Sequence, residues 1–128
     1  MARILVIDDD PSIVRVAERI LKLDGHEVVT AATGVSALQE CRTAPFDLVV
    51  TDVCMPGMDG MEMLVQFSRE FPGLKIVVMS GGGDESDDVF VRAKRLGAVL
   101  TLPKPFTVDE MTQAIREALG KTGEFLPD

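Results

Sequence analysis

Four short runs of apolar residues recur along the chain: Ile4-Leu5-Val6-Ile7, Leu48-Val49-Val50-Thr51, Ile76-Val77-Val78-Met79 and Val99-Leu100-Thr101-Leu102. They lack the strict apolar/polar alternation of a strand with one wet face. A strand apolar on both sides must be covered on both sides, as in a parallel sheet flanked by helices. The residues that follow the runs are as telling as the runs themselves. The first meets Asp8-Asp9-Asp10, the second Asp52 and the third Ser80, while the fourth leads into Lys104. The most chemically pointed side chains therefore stand just past strand ends.

Helical patterns fill the gaps between strands. The first strand is expected over Arg3 to Ile7. Asp10 then caps a helix with Pro11 at its first position and Ile13, Ala17, Ile20 and Leu21 on one face, stopping near Asp24-Gly25. A second strand covers Glu27 to Ala31. Thr33 caps a short helix with Val35, Leu38 and Cys41 facing inward, and Pro45 ends it. After the third strand, Leu48 to Thr51, a loop from Val53 to Asp59 leads to a helix whose apolar side holds Met61, Leu64, Val65 and Ser68. Pro72-Gly73 closes it before the fourth strand, Lys75 to Met79. The next helix carries Val89, Phe90, Ala93 and Leu96 and stops at Gly97. After the fifth strand, Val99 to Leu102, Thr107 and Glu110 form a capping box for a last helix reaching Leu119.

Five β-α units of this kind predict a doubly wound α/β sheet. In such sheets ligands bind outside the carboxyl ends of the strands, where the strand order reverses. For the order 2-1-3-4-5 that point lies between strands one and three, which end in Asp8, Asp9 and Asp52.

Composition narrows the function classes. The chain has 128 residues, enough for one domain with a core of its own. Its formal charge of −8 opposes nucleic-acid binding, which needs a basic face, and suits an acidic cation site. No apolar run approaches membrane-spanning length, and Met1-Ala2-Arg3 leads into a strand without a secretory leader. Cys41 and Cys54 form neither a metal spacing nor a disulfide framework, so a reduced, cytoplasmic setting is expected.

Carboxylates crowded at a strand end repel one another, and desolvation adds a cost. A cation between them removes the difficulty. Mg²⁺ takes octahedral oxygen ligands and keeps several waters, so two carboxylates and a backbone carbonyl suffice to hold it. An aspartate beside it can attack a phosphoryl group and form an acyl phosphate. Asp52 fits the nucleophile, and Lys104 and Ser80 fit groups that offset charge on the phosphoryl oxygens.

The segments ILVIDDD at 4–10, DLVVTDVCMPGMDG at 47–60, VVMSG at 77–81 and LPKPF at 102–106 together resemble the receiver domain of bacterial two-component response regulators, of the chemotaxis type. The resemblance covers nearly the whole chain and implies the flavodoxin-like receiver fold over residues 1–120, with 121–128 a short tail or linker. It implies that Asp52 is the phosphoacceptor. Asp9 would ligate Mg²⁺ directly, Asp8 through water, and the backbone carbonyl of Cys54 would complete the set. Ser80 matches the hydroxyl switch residue and Lys104 the phosphate-pairing lysine, with a cis Lys104-Pro105 bond. The implied phosphodonor is a histidine kinase or histidine phosphotransfer protein. The implied output is a downstream protein or detached output domain, with a homodimer on activation, acting through the face of helix four, strand five and helix five.

One position departs from the pattern. Thr101 stands where many receivers carry Tyr or Phe, and the chain has no Tyr or Trp. Phosphorylation chemistry uses other residues, so the departure bears on output, which the Gly81-Gly82-Gly83 loop and the following helix would carry. His26, the single histidine, is expected at the surface and far from the acids. Met55, Met58, Met61 and Met63 are read as loop and core filler. A haloacid-dehalogenase-type phosphatase would want a second Asp where Cys54 stands. A flavodoxin-like FMN carrier would be repelled by acids in the first loop. A constitutive interaction domain on the same fold is the remaining alternative.

Overall fold

A computed structural model describes residues 1–53, 60–81 and 86–120, with backbone only over 86–89. The elements in chain order are β1 (Arg3–Ile7), α1 (Pro11–Leu23), β2 (Glu27–Ala31), α2 (Gly34–Thr43), β3 (Leu48–Asp52), α3 (Gly60–Glu70), β4 (Lys75–Gly81), α4 (Ser86–Arg95), β5 (Leu100–Lys104) and α5 (Val108–Gly120). The strands form one parallel sheet in the order β2-β1-β3-β4-β5. The sequence-based order is therefore correct.

The sheet divides the core in two. Ile4 and Val6 of β1 and Leu48 and Val50 of β3 pack beneath α1 and α5, against Ala17, Leu21, Met111 and Ile115. The alternate residues, Leu5, Ile7 and Val49, face α2, α3 and α4 through Leu38, Met63, Leu64, Phe67 and Ala93. Both faces of the central strands are dry, which is why their sequences carry no alternation. Fully burying a side chain such as Phe67 contributes about 1.5–3 kcal/mol.

Local signals set the helix ends. Asp10 is the N-cap of α1, its Oδ1 accepting from the Ser12 amide at 2.9 Å, with Pro11 next. Thr33 Oγ1 accepts from the Ser36 amide at 3.1 Å to cap α2. At α5, Glu110 N donates to Thr107 Oγ1 at 3.0 Å and Thr107 N to Glu110 Oε1 at 2.8 Å, the reciprocal capping box. Gly25 and Gly97 stop α1 and α4 at φ of +91° and +118°, where a Cβ would be strained.

Several expectations need correction. Val35 is exposed, because α2 buries Gly34, Ala37, Leu38 and Cys41 instead. α3 turns Met63, Leu64 and Phe67 to the core, leaving Val65 and Ser68 at its margins. The bulky Phe67 decides the rotation of the helix. Ser68 serves a polar purpose, donating to the Leu96 carbonyl at 3.0 Å. β4 runs on through Ser80 to Gly81, and β5 starts at Leu100 and includes Pro103 and Lys104. A proline without an N–H is tolerated there because β5 is an edge strand. His26 is not a surface residue. Its side chain is only 9% exposed, because Nδ1 accepts from the Ala2 amide at 3.0 Å and draws the ring under the start of β1. It sits at the start of β2, at the opposite end of the sheet from the strand-end acids. The side chain of Val89, residues Cys54, Met55, Met58, Gly82 and Gly83, and the tail 121–128 lie outside the described residues.

Candidate functional site

β1 and β3 are neighbours in register, Ile7 beside Thr51, so Asp8 and Asp52 emerge side by side at the carboxyl edge of the sheet. Asp52 is the last residue of β3 and pairs with Met79 of β4, which puts Ser80 one residue further along the adjacent strand. Ser80 in turn pairs with Pro103 of β5, followed by Lys104. Residues far apart in sequence thus converge because four parallel strands end at one edge.

The central interaction is a shared ammonium. Lys104 Nζ donates to Asp8 Oδ2 and to Asp52 Oδ2, both at 2.7 Å. The other Asp8 oxygen, Oδ1, accepts from the Asp10 amide at 3.0 Å. The Asp8 and Asp52 side chains are 1% and 9% exposed and that of Lys104 14%, so this is a buried arrangement. Asp9 is exposed at its rim. The Lys104-Pro105 peptide is cis.

Burial pushes the Asp8 carboxyl above its ordinary value. The hydrogen bonds from Lys104 and the Asp10 amide pull it back only in part, and the Asp52 charge opposes them. For Lys104 burial also disfavours the charge, yet two carboxylates outweigh it and hold the ammonium above its ordinary value. The two shifts reflect one imbalance: the ammonium enjoys two partners, while each carboxylate has a share of one cation. Asp10 stands apart. Its carboxyl is lowered by the Ser12 hydroxyl and amide, so it serves the helix and not the site.

One positive charge facing three acids leaves room for more. Asp8, Asp9 and Asp52 each offer a carboxylate oxygen, all within 4.8 Å of one another. Hard oxygen donors at that spacing suit a divalent cation such as Mg²⁺. Asp8, Asp9, Asp52 and Lys104 are therefore brought together as the sequence suggests. The Cys54 carbonyl lies outside the described residues. Ser80 is 2% exposed, with its hydroxyl donating to the Gly81 carbonyl at 3.2 Å. Thr101 pairs with Val78, two residues before Ser80, so Thr101 and Ser80 lie on the same face of the sheet. Thr101 is half-buried and borders an open groove with Asp109, Glu110, Gln113 and Glu117.

Sequence reasoning gave Lys104 a phosphate to hold and missed its bond to Asp8. The signal was present in the excess of acids over cations at the strand ends. It also missed the ion pairs that brace the scaffold. Arg116 of α5 holds Asp24 at the end of α1, with one bond of 2.5 Å, and Arg42 of α2 holds Glu70 of α3 through bonds of 2.5 and 2.8 Å. Side chains so far apart in sequence give no periodic cue.

Comparison with known proteins bears on this geometry. A family model for the response regulator receiver domain matches residues 4–116. The DNA-binding transcriptional regulator NtrC of Escherichia coli (strain K12) is 36% identical over 114 residues, 89% of this chain and 24% of that protein. The chain spans about a quarter to a half of the curated relatives it matches. The receiver domain of NtrX from Brucella abortus superimposes with a TM-score of 0.88 at 33% identity, over 93% of this chain and 99% of that one. The beryllofluoride-activated NtrC4 receiver domain dimer gives a TM-score of 0.83 at 32% identity, over 91% and 95%. With the same strand order and a match that runs from the first strand into the last helix, the chain belongs to the response regulator receiver domain family, the phosphoacceptor modules of two-component signalling.

Proposed function

We propose that Asp52 is the phosphoacceptor of this receiver and that Asp8, Asp9 and Asp52, with the Cys54 backbone carbonyl, hold the Mg²⁺ on which phosphorylation depends. The observation that carries the reading is the Lys104 ammonium, 2.7 Å from both Asp8 and Asp52 among three carboxylates. Mg²⁺, when bound, neutralises charge on the phosphoryl oxygens. The donor is a histidine kinase or histidine phosphotransfer protein. A carboxylate oxygen of Asp52 bonds to phosphorus as the P–N bond of a phosphohistidine breaks, and the electron pair leaves with the imidazole nitrogen, which takes up a proton. Water later attacks phosphorus, and the acyl-phosphate bond breaks to return the Asp52 carboxylate and free phosphate. The domain acts only on its own aspartate and turns over no other substrate.

Lys104 is already at the reacting carboxylate, so its ammonium meets the incoming charge without moving far. The Ser80 hydroxyl, held on the Gly81 carbonyl, is the second donor and turns toward the phosphoryl group. Both adjustments favour a conformer of the face made by α4, β5 and α5, a population shift typically worth ~1–3 kcal/mol. Thr101 sits on that route with a small side chain, so the shift is carried by β4 and α4 more than by an inward-turning ring. Residues 1–120 form the receiver and 121–128 a short tail. The protein works in the cytoplasm, biasing a downstream protein or a detached output domain, and pairs as a homodimer when activated, as the NtrC4 receiver does. No nucleic acid or membrane contact is assigned to this chain. Among the described residues no helix is long and apolar enough to cross a membrane.

The test is intact-protein mass spectrometry after incubation with acetyl phosphate. A gain of one phosphoryl group, lost in Asp52→Asn and in excess EDTA, is the expected result. No gain with acetyl phosphate, and no binding of beryllofluoride, overturns the proposal.

A further inference from the structure

Gly60, the first residue of α3, lies directly on the backbone of Val53, the residue that follows Asp52. A Cβ built on Gly60 falls closer than 3.0 Å to the carbonyl oxygen, the Cα and the carbonyl carbon of Val53. All three are main-chain atoms, so no rotamer change can relieve the overlap. Any side chain at position 60 must push the Val53 peptide or lift the start of α3. Neither is free to give. Val53 is buried at the end of a strand paired on both sides, and α3 is anchored in the core by Met63, Leu64 and Phe67.

We propose that Gly60 is a positioning residue for Asp52: its bare backbone lets α3 seat against the Val53 peptide and so fixes the carboxylate of the preceding residue relative to Lys104 and Asp8. This rests on the phosphoacceptor reading of Asp52. The Asp52 carboxylate is held on one side by Lys104 at 2.7 Å. On the main-chain side, the peptide beyond it is held by contact with Gly60. A displacement of the Val53 peptide rotates the Asp52 Cα–Cβ bond and spoils the in-line approach to phosphorus. Misplacement by about 1 Å can cost on the order of 10²-fold in rate. The sequence offers a reason for Gly60 as turn chemistry after Asp59, but the close approach to Val53 is visible only in three dimensions.

The experiment compares Gly60→Ala with Gly73→Ala, where a Cβ meets nothing within 4 Å, and with Ile115→Val in the opposite core layer as a stability control. Each variant is phosphorylated with acetyl phosphate at saturating Mg²⁺, and Mg²⁺ affinity is measured by calorimetry. The expected result is a phosphorylation rate for Gly60→Ala lower by about 10–100-fold, with both controls within about twofold of the parent chain. A folded Gly60→Ala that phosphorylates like Gly73→Ala overturns the proposal. Should Gly60→Ala not fold, the parent chain decides. Its Gly60 and Val53 amide resonances are expected to shift on addition of Mg²⁺ and beryllofluoride, and their immobility while Lys104 responds overturns the proposal equally. Failure of the parent chain itself to take a phosphoryl group would refute the phosphoacceptor reading, a result distinct from either outcome. In that case Mg²⁺ affinity in Gly60→Ala still reports on the contact, and an unchanged value overturns it.

Discussion

Replacing Lys104 by Met removes one cation from between two buried carboxylates and leaves the apolar stem in place. The side chains involved are 14%, 1% and 9% exposed, so solvent screens the loss only weakly. Breaking a buried ion pair from one side typically costs ~3–5 kcal/mol, because the remaining charge is left uncompensated. Two features place this case at the lower end. One ammonium never neutralised both acids, and Asp8, whose carboxyl burial already pushes up, can take a proton once the ammonium is gone. The expectation is a loss of about 3 kcal/mol at pH 7.5 in EDTA, worth on the order of 10 °C in Tm for a domain of this size. The penalty shrinks as pH falls and Asp8 protonates, and millimolar Mg²⁺ restores most of it by supplying the missing charge. Without Trp or Tyr in the chain, urea unfolding is followed by far-UV circular dichroism. If Lys104→Met is as stable as the parent chain in EDTA at pH 7.5, the shared ammonium is not what makes the acid cluster tolerable, and the argument from its two bonds is wrong.

Other expectations follow from the same geometry. Asp8→Asn leaves Lys104 and Asp52 paired one to one, so the variant is more stable than the parent chain at pH 7 without metal, as read by urea midpoint. Because the folded carboxyl of Asp8 binds its proton more tightly than the ordinary 3.8, its contribution makes the parent chain gain stability as pH falls from neutral through that raised value. The Asn variant lacks this gain, and a difference between the two that does not change with pH would refute the assignment. Thr107→Ala removes half of the capping box on α5 and costs about 1 kcal/mol, measured by thermal unfolding. Cys41 is buried on the inner face of α2, and burial pushes its thiol up to about 11, so iodoacetamide at pH 8 labels it only on unfolding, which peptide mapping checks.

The sequence was most legible where a single element decided the matter. The doubly apolar strands announced a covered parallel sheet, and Asp10, Thr33 and Thr107 marked helix starts that the hydrogen bonds bear out. The strand-end acids and Lys104 pointed to their shared edge because topology, not local pattern, places strand ends together. Periodicity was less reliable for helix faces. Val35 and Val65 fit an apolar stripe as well as Met63 does, and only the bulk of Phe67 against the sheet fixes how α3 turns. His26 was misplaced because its burial comes from one long-range bond to the Ala2 amide, which leaves no trace in neighbouring residues. The seat of Gly60 on Val53 was beyond reach for the same reason.

The Lys104 to Asp8 bond joins residues 96 apart in sequence. A growing chain on the ribosome therefore exposes its acids long before the lysine that tames them emerges. β1 and β3 can pair early, but the edge that carries the acids is incomplete until β5 has threaded onto the far side of β4. Such non-local pairing is slow compared with local helix formation. Partly made or partly unfolded molecules therefore lack the shared ammonium, and the closing of that long loop requires the whole sheet to be present before the acid cluster gains its cation.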